Sequence, residues 1–144
     1  MPELLIEPIN LETFHLSYIN MKNLSTIGRI LFAIPFAIFG LNHLLFLDFY
    51  IGTVSSFIPL GPYTVILTGI FLIMASLSII FNKYIKVSTI LLSILLLIFI
   101  LTIHIPGLFD PDPLKWKFAL IELLKDTSLL GGSLMIAGMM SERE

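Results

Sequence analysis

The chain contains no cysteine. That absence removes disulfides, thiolate metal centres, iron–sulfur ligation and thiol exchange together. It excludes in particular the work of four-helix membrane bundles that pass electrons from dithiols to quinones through cysteine pairs. Charge is scarce as well: 12% of the 144 residues are Asp, Glu, Lys or Arg, and the formal net charge is −2. Nothing resembles a basic nucleic-acid surface, so no nucleic-acid partner is expected. The first 22 residues carry Glu3, Glu7 and Glu12 and lack an apolar core, so no cleavable signal peptide is expected.

What fills the chain is hydrocarbon. Hydrophobic residues make up 57% of it and the mean hydropathy is +1.01, against about 45–50% apolar residues in an ordinary soluble domain. The expected class is an all-α integral membrane protein with the lipid bilayer as its surroundings. A spanning helix takes about 20 residues. Four spans fit, over about 24–47, 63–81, 86–105 and 114–140, within a membrane domain of residues 23–140. Residues 1–22 form a polar N-terminal segment with a possible short interfacial helix from Glu12 to Ile19, and 141–144 a short tail. Lys22, Arg29, Lys83, Lys86 and Arg143 fall on one side of these spans and Lys115 and Lys117 on the other. Positive charge is retained on the cytoplasmic side, so both termini are expected to be cytoplasmic.

Against this background three ionisable residues, Glu122, Lys125 and Asp126, lie inside the fourth apolar run. An ionised side chain at mid-bilayer costs at least about 2.5–3.5 kcal/mol, so a membrane helix keeps one where it faces protein, water or a partner charge. Lys125 reaches Glu122 at i,i+3, whereas Glu122 and Asp126 stand at the repulsive i,i+4 spacing. An outside cation would relieve that repulsion, and Arg29 in the first span, about 7 Å away in estimated depth, is the expected partner of Asp126. Arg29, Ala33, Gly40 and His43 share one face of the first span, within about 80 degrees of arc. On the fourth, Ser133 and Ala137 with Gly131, Gly132 and Gly138 nearby suggest close helix packing.

His43 near the end of the first span and His104 at the end of the third lie toward the same, non-cytoplasmic side. With Glu122 and Lys125 they would line a pocket between the helices, the usual place for a ligand in a bundle. Candidate pocket residues are therefore Arg29, Gly40, His43, His104, Glu122, Lys125 and Asp126. His43, His104, Glu122 and Asp126 are the candidates for catalytic roles. No dense ligand motif such as a HxxxH pair is present, so neither a metal nor a haem is expected. The same charges read equally as a structural ion-pair network that locks helix register, with no ligand at all.

Several short motifs carry a family resemblance. Arg29-Ile30-Leu31-Phe32 leading to Phe39-Gly40-Leu41-Asn42-His43, the His104-Ile105-Pro106 end of the third span, and Lys125-Asp126 followed by Leu130-Gly131-Gly132 together resemble the DoxX superfamily, over about residues 25–140. The resemblance implies a four-helix membrane bundle. It also implies association with a membrane oxidoreductase, since the family takes its name from subunits found with thiosulfate:quinone oxidoreductase, while more distant relatives resemble assembly and trafficking factors. The family's recurring positions fall on Arg29, Gly40, His104 and Lys125-Asp126. The expected function is a subunit that binds a quinone or other small ligand, in the cytoplasmic membrane of a prokaryote, alongside a redox-enzyme subunit or as a homo-oligomer. The alternative is a non-catalytic scaffold or assembly factor. Direct thiol chemistry departs from what this cysteine-free chain can do.

Overall fold

The computed structural model describes residues 11–52 and 61–141, and among them every regular element is helical. The order is α1 (Leu11–Leu45), α2 (Leu47–Ile51), α3 (Pro62–Ile80), α4 (Ile85–Phe99), a π-helical segment (Ile100–His104), α5 (Ile105–Gly107) and α6 (Pro113–Ser141). Three stretches are long and apolar enough to cross a membrane: Met21–Leu45, Pro62–Ile80 and Ile85–Gly107. The fourth long helix, α6, has 29 residues and carries the charged trio in its first half. The polar N-terminal segment is not a separate short helix where it is described. From Leu11 onward it continues into α1 without a break, because no proline or glycine interrupts residues 11–27.

Local chemistry explains the boundaries. Gly61, at φ 48°, turns the chain into Pro62, whose missing N–H is harmless at the first helical position. Helix α3 ends in a Schellman arrangement: Asn82, left-handed at φ 59°, donates its N–H to the Ile79 carbonyl, and Lys83 donates to Ser78 at 3.0 Å. The Arg29 guanidinium donates to the Asn82 side-chain oxygen and ties α1 to this hairpin turn. At the start of α6 the Asp112 carboxylate accepts the N–H of Leu114 at 2.9 Å, an N-cap followed by Pro113.

Helix α1 packs along α3, and α4 along α6, with α3 and α4 joined at the hairpin. A Cβ on Gly40 would stand 2.7 Å from the Gly69 carbonyl oxygen, and one on Gly69 would stand 2.9 Å from that of Gly40. The two backbones of α1 and α3 thus touch at a glycine pair, the close approach that small residues permit in membrane helices. Hydroxyls add cross-links: Ser76 donates to the Ala33 carbonyl at 2.8 Å and Ser133 to the Thr89 carbonyl at 2.7 Å. The core is Ala33, Phe36, Leu72, Ile79, Leu92 and Leu96. Ser133 and Ala137 are buried and Gly132 abuts Phe32, whereas Gly131 and Gly138 face open space.

Candidate functional site

The polar site is built where the end of the α4–α5 rod meets the first half of α6. Pro106 lacks an N–H, and its ring clashes with the carbonyl four residues back in a regular helix. The helix widens just ahead of it, and Ile105 donates to the Ile100 carbonyl, five residues back. Such π-helical turns often occur at functional sites. Here the widened turn ends on His104, whose Nε2–H donates to the Oδ2 of Asp126 at 2.9 Å. Both residues are buried, at 8% and 4% exposure.

From this buried pair the network runs outward along α6. The Lys125 ammonium lies 3.5 Å from Asp126 Oδ1, donates to Glu122, and rests over the Phe39 ring at 4.5 Å from its centroid. A cation over an aromatic face gains about 0.5–2 kcal/mol, so Phe39 helps hold the ammonium inside an apolar bundle. Glu122 and Lys125 are about a third exposed. The cluster therefore grades from a half-open mouth to a closed floor. Its depth follows from the packing of Gly107 against Ala119 near the end of the bundle. Asp126 lies seven residues further along α6, roughly 10 Å deeper.

Across the mouth stand His43 and Tyr50. Their rings stack at 3.9 Å between centroids, 19° from parallel, and His43 Nδ1–H donates to the Phe39 carbonyl at 2.8 Å. Tyr50 lies in α2, beyond the first apolar stretch, where burial pushes its phenol up from the ordinary value. Lys125 pulls it down and Glu122 pushes it further up. The charged pair of α6 and the aromatic pair of α1–α2 thus share one electrostatic environment.

Set against the sequence expectations, His43, His104, Glu122, Lys125 and Asp126 fall at the same end of the bundle. Arg29 does not join them, and Gly40 lies at their level on α1 but faces α3. The expected Arg29–Asp126 ion pair is absent: Asp126 is held by His104 and Lys125, and Arg29 by Asn82. Depth explains the difference. Phe32 packs against Gly132 and Lys125 rests over Phe39, so Asp126 is level with residue 38, roughly 13 Å from the level of Arg29. Gly40 is spent on the contact with α3. Reasoning on the sequence alone missed three residues. Phe39 is one of twelve phenylalanines in the chain and carries no polar signal of its own, although it precedes His43 by one turn. Tyr50 lay in a connection with no pattern of its own. Gly69, the partner of Gly40, carried only the weak signal of a glycine at mid-helix.

No protein-family model, curated protein or solved structure matches this chain.

The chemistry of the arrangement is nonetheless definite. Two carboxylates face the Lys125 amino group, an imidazole closes the buried end, and a phenol and a second imidazole flank the mouth. Such a set donates hydrogen bonds to carbonyl oxygens and offers carboxylate positions for a proton.

Proposed function

We propose that this protein is a four-span, DoxX-like protein of a prokaryotic cytoplasmic membrane, with both termini cytoplasmic, whose polar end binds a small lipophilic ligand. The chemistry best suited is a quinone head group, bound in support of a membrane oxidoreductase. The observation that carries this reading is the graded cluster: a buried His104–Asp126 pair reached through the half-open Lys125–Glu122 pair, with a flat His43–Tyr50 stack beside it. A quinone is a flat ring with an acceptor oxygen at each end. The Lys125 ammonium and the Tyr50 hydroxyl supply donors for such oxygens, and Glu122 or Asp126 supplies an acceptor for the protons that accompany reduction. Electrons come from a partner subunit, since the side chains of this chain include no thiol or other group of that kind.

Mass analysis of lipids co-purified with the protein, followed by titration with ubiquinone and menaquinone analogues monitored by Trp116 fluorescence, tests the ligand. Saturable binding that Lys125→Met and Tyr50→Phe each weaken is the expected result. Absence of both a co-purified ligand and a saturable response defeats the reading. Topology is tested separately, because a cysteine-free chain has no labelling background. Tyr84→Cys and Leu114→Cys, 83% and 72% exposed, label from the cytoplasmic and outer faces respectively. A second reading, a scaffold whose network only orders the bundle, is favoured by one observation: among the described residues no buried side-chain nitrogen or oxygen lacks a partner. A stoichiometric protein partner captured in native-like lipid, without a bound small molecule, supports that alternative.

A further inference from the structure

His104, Glu122 and Asp126 each offer a ligand atom, and the three atoms all lie within 4.8 Å of one another. We infer that these residues form a site for one divalent transition-metal ion of the zinc type, with the Lys125 ammonium as the resident cation that such an ion displaces.

Three observations converge on this site. The 2.9 Å between His104 Nε2 and Asp126 Oδ2 is near the roughly 3.3 Å that two ligands at about 2.0 Å from a tetrahedral ion subtend. Glu122 stands one helical turn before Asp126 on the same face of α6, and its side chain, about a third exposed, has freedom to close the remaining gap. A cation is already held there: the Lys125 ammonium touches both Glu122 and Asp126, the position a metal bound to those carboxylates takes. A mixed imidazole and carboxylate set suits Zn2+, and also Co2+ or Mn2+, better than soft ions that need sulfur.

Charge makes the exchange consistent. The two carboxylates carry two negative charges and Lys125 supplies one positive charge, whereas a divalent ion supplies two. On binding, His104 turns the Nε2 lone pair to the ion in the tautomer that keeps its proton on Nδ1. Lys125, a third exposed on a flexible four-carbon stem, withdraws toward the mouth. Three protein ligands leave a fourth position open to water or to another ligand.

The experiment uses the full chain, purified without a histidine tag into lipid nanodiscs, and measures Zn2+ by indicator competition and by metal analysis after gel filtration. Co2+ absorption in the visible region reports the ligand set. Wild-type protein is expected to retain one Zn2+ per chain. Glu122→Gln and His104→Gln each weaken binding about 10- to 100-fold, and Lys125→Met tightens it by about tenfold, the scale on which neighbours of a metal site act. Circular dichroism confirms that each variant is folded, and the partly exposed position of Glu122 keeps that variant informative if His104→Gln does not fold. The site is overturned if neither wild type nor Lys125→Met binds Zn2+ stoichiometrically, or if Glu122→Gln leaves the affinity unchanged. Quinone titration of the same samples is read independently, so failure of one reading leaves the other standing.

Discussion

Removing the Asp126 carboxylate tests whether the buried cluster acts as one unit. Asp126→Ala takes the acceptor from His104 Nε2–H and one of two carboxylates from Lys125. Two magnitudes compete. Interhelical hydrogen bonds in membranes average about 0.6 kcal/mol and reach about 1.7, whereas stripping one partner from a buried ion pair costs about 3–5 kcal/mol because the other charge stays behind. The burial of His104 and Asp126 argues for the larger figure. Lys125, however, keeps Glu122 and is a third exposed, so the stranded charge retains a partner and some polar surroundings. An intermediate loss of about 2–3 kcal/mol is expected. His104→Phe costs less, because Lys125 still neutralises Asp126. If the cluster is one unit, the double variant Asp126→Ala/His104→Phe is destabilised by at least about 1 kcal/mol less than the sum of the singles. Reversible unfolding in mixed micelles, followed by far-ultraviolet circular dichroism, measures all three. Additivity to within about 0.5 kcal/mol, the behaviour of independent sites, refutes the reasoning.

Gly40→Val places atoms against the Gly69 backbone oxygen, which has no side chain to swing away. A loss of about 1–3 kcal/mol in the same unfolding assay is expected. Gly131→Ala, facing open space, is expected to gain up to about 1 kcal/mol from helix propensity, and equal stability of the two variants refutes the packing argument. Exchanging charges as Arg29→Asp with Asp126→Arg rescues neither single variant, since the two positions are roughly 13 Å apart in depth; recovery of wild-type stability contradicts the observed pairing. The raised pKa of Tyr50 means that folding favours its neutral form. Its contribution to stability is full below the ordinary value of 10.0 and is lost as pH rises through the higher folded value. Absorbance titration, taking Tyr50→Phe as the difference, shows this phenol ionising above the usual range, and above its wild-type position in Lys125→Met, where the cation that lowers it is gone. Ionisation at or below the ordinary value contradicts the placement.

The apolar stretches and the anomaly of charge in α6 were legible in the sequence. Both depend on residues within a few positions of one another: hydropathy sums over a window, and a charge stands out against its own apolar neighbours. The convergence of His43 and His104 on one end followed from counting residues along alternating spans. The identity of Asp126's partner did not: Arg29 was expected there, and His104 and Lys125 hold it instead.

The tertiary structure decided that question through helix register and separation. Phe32 and Phe39 fill the space between α1 and α6 and set their relative depth, which places Arg29 at the hairpin end and leaves Asp126 to His104. The widened turn before Pro106 brings that imidazole to the carboxylate, a rotation that periodicity at 3.6 residues per turn does not contain. The sequence by itself determined where the long apolar segments lie and that α6 needed polar company, because those are local balances of burial and charge. Which side chains provide that company depends on distances between helices, and only their packing sets those.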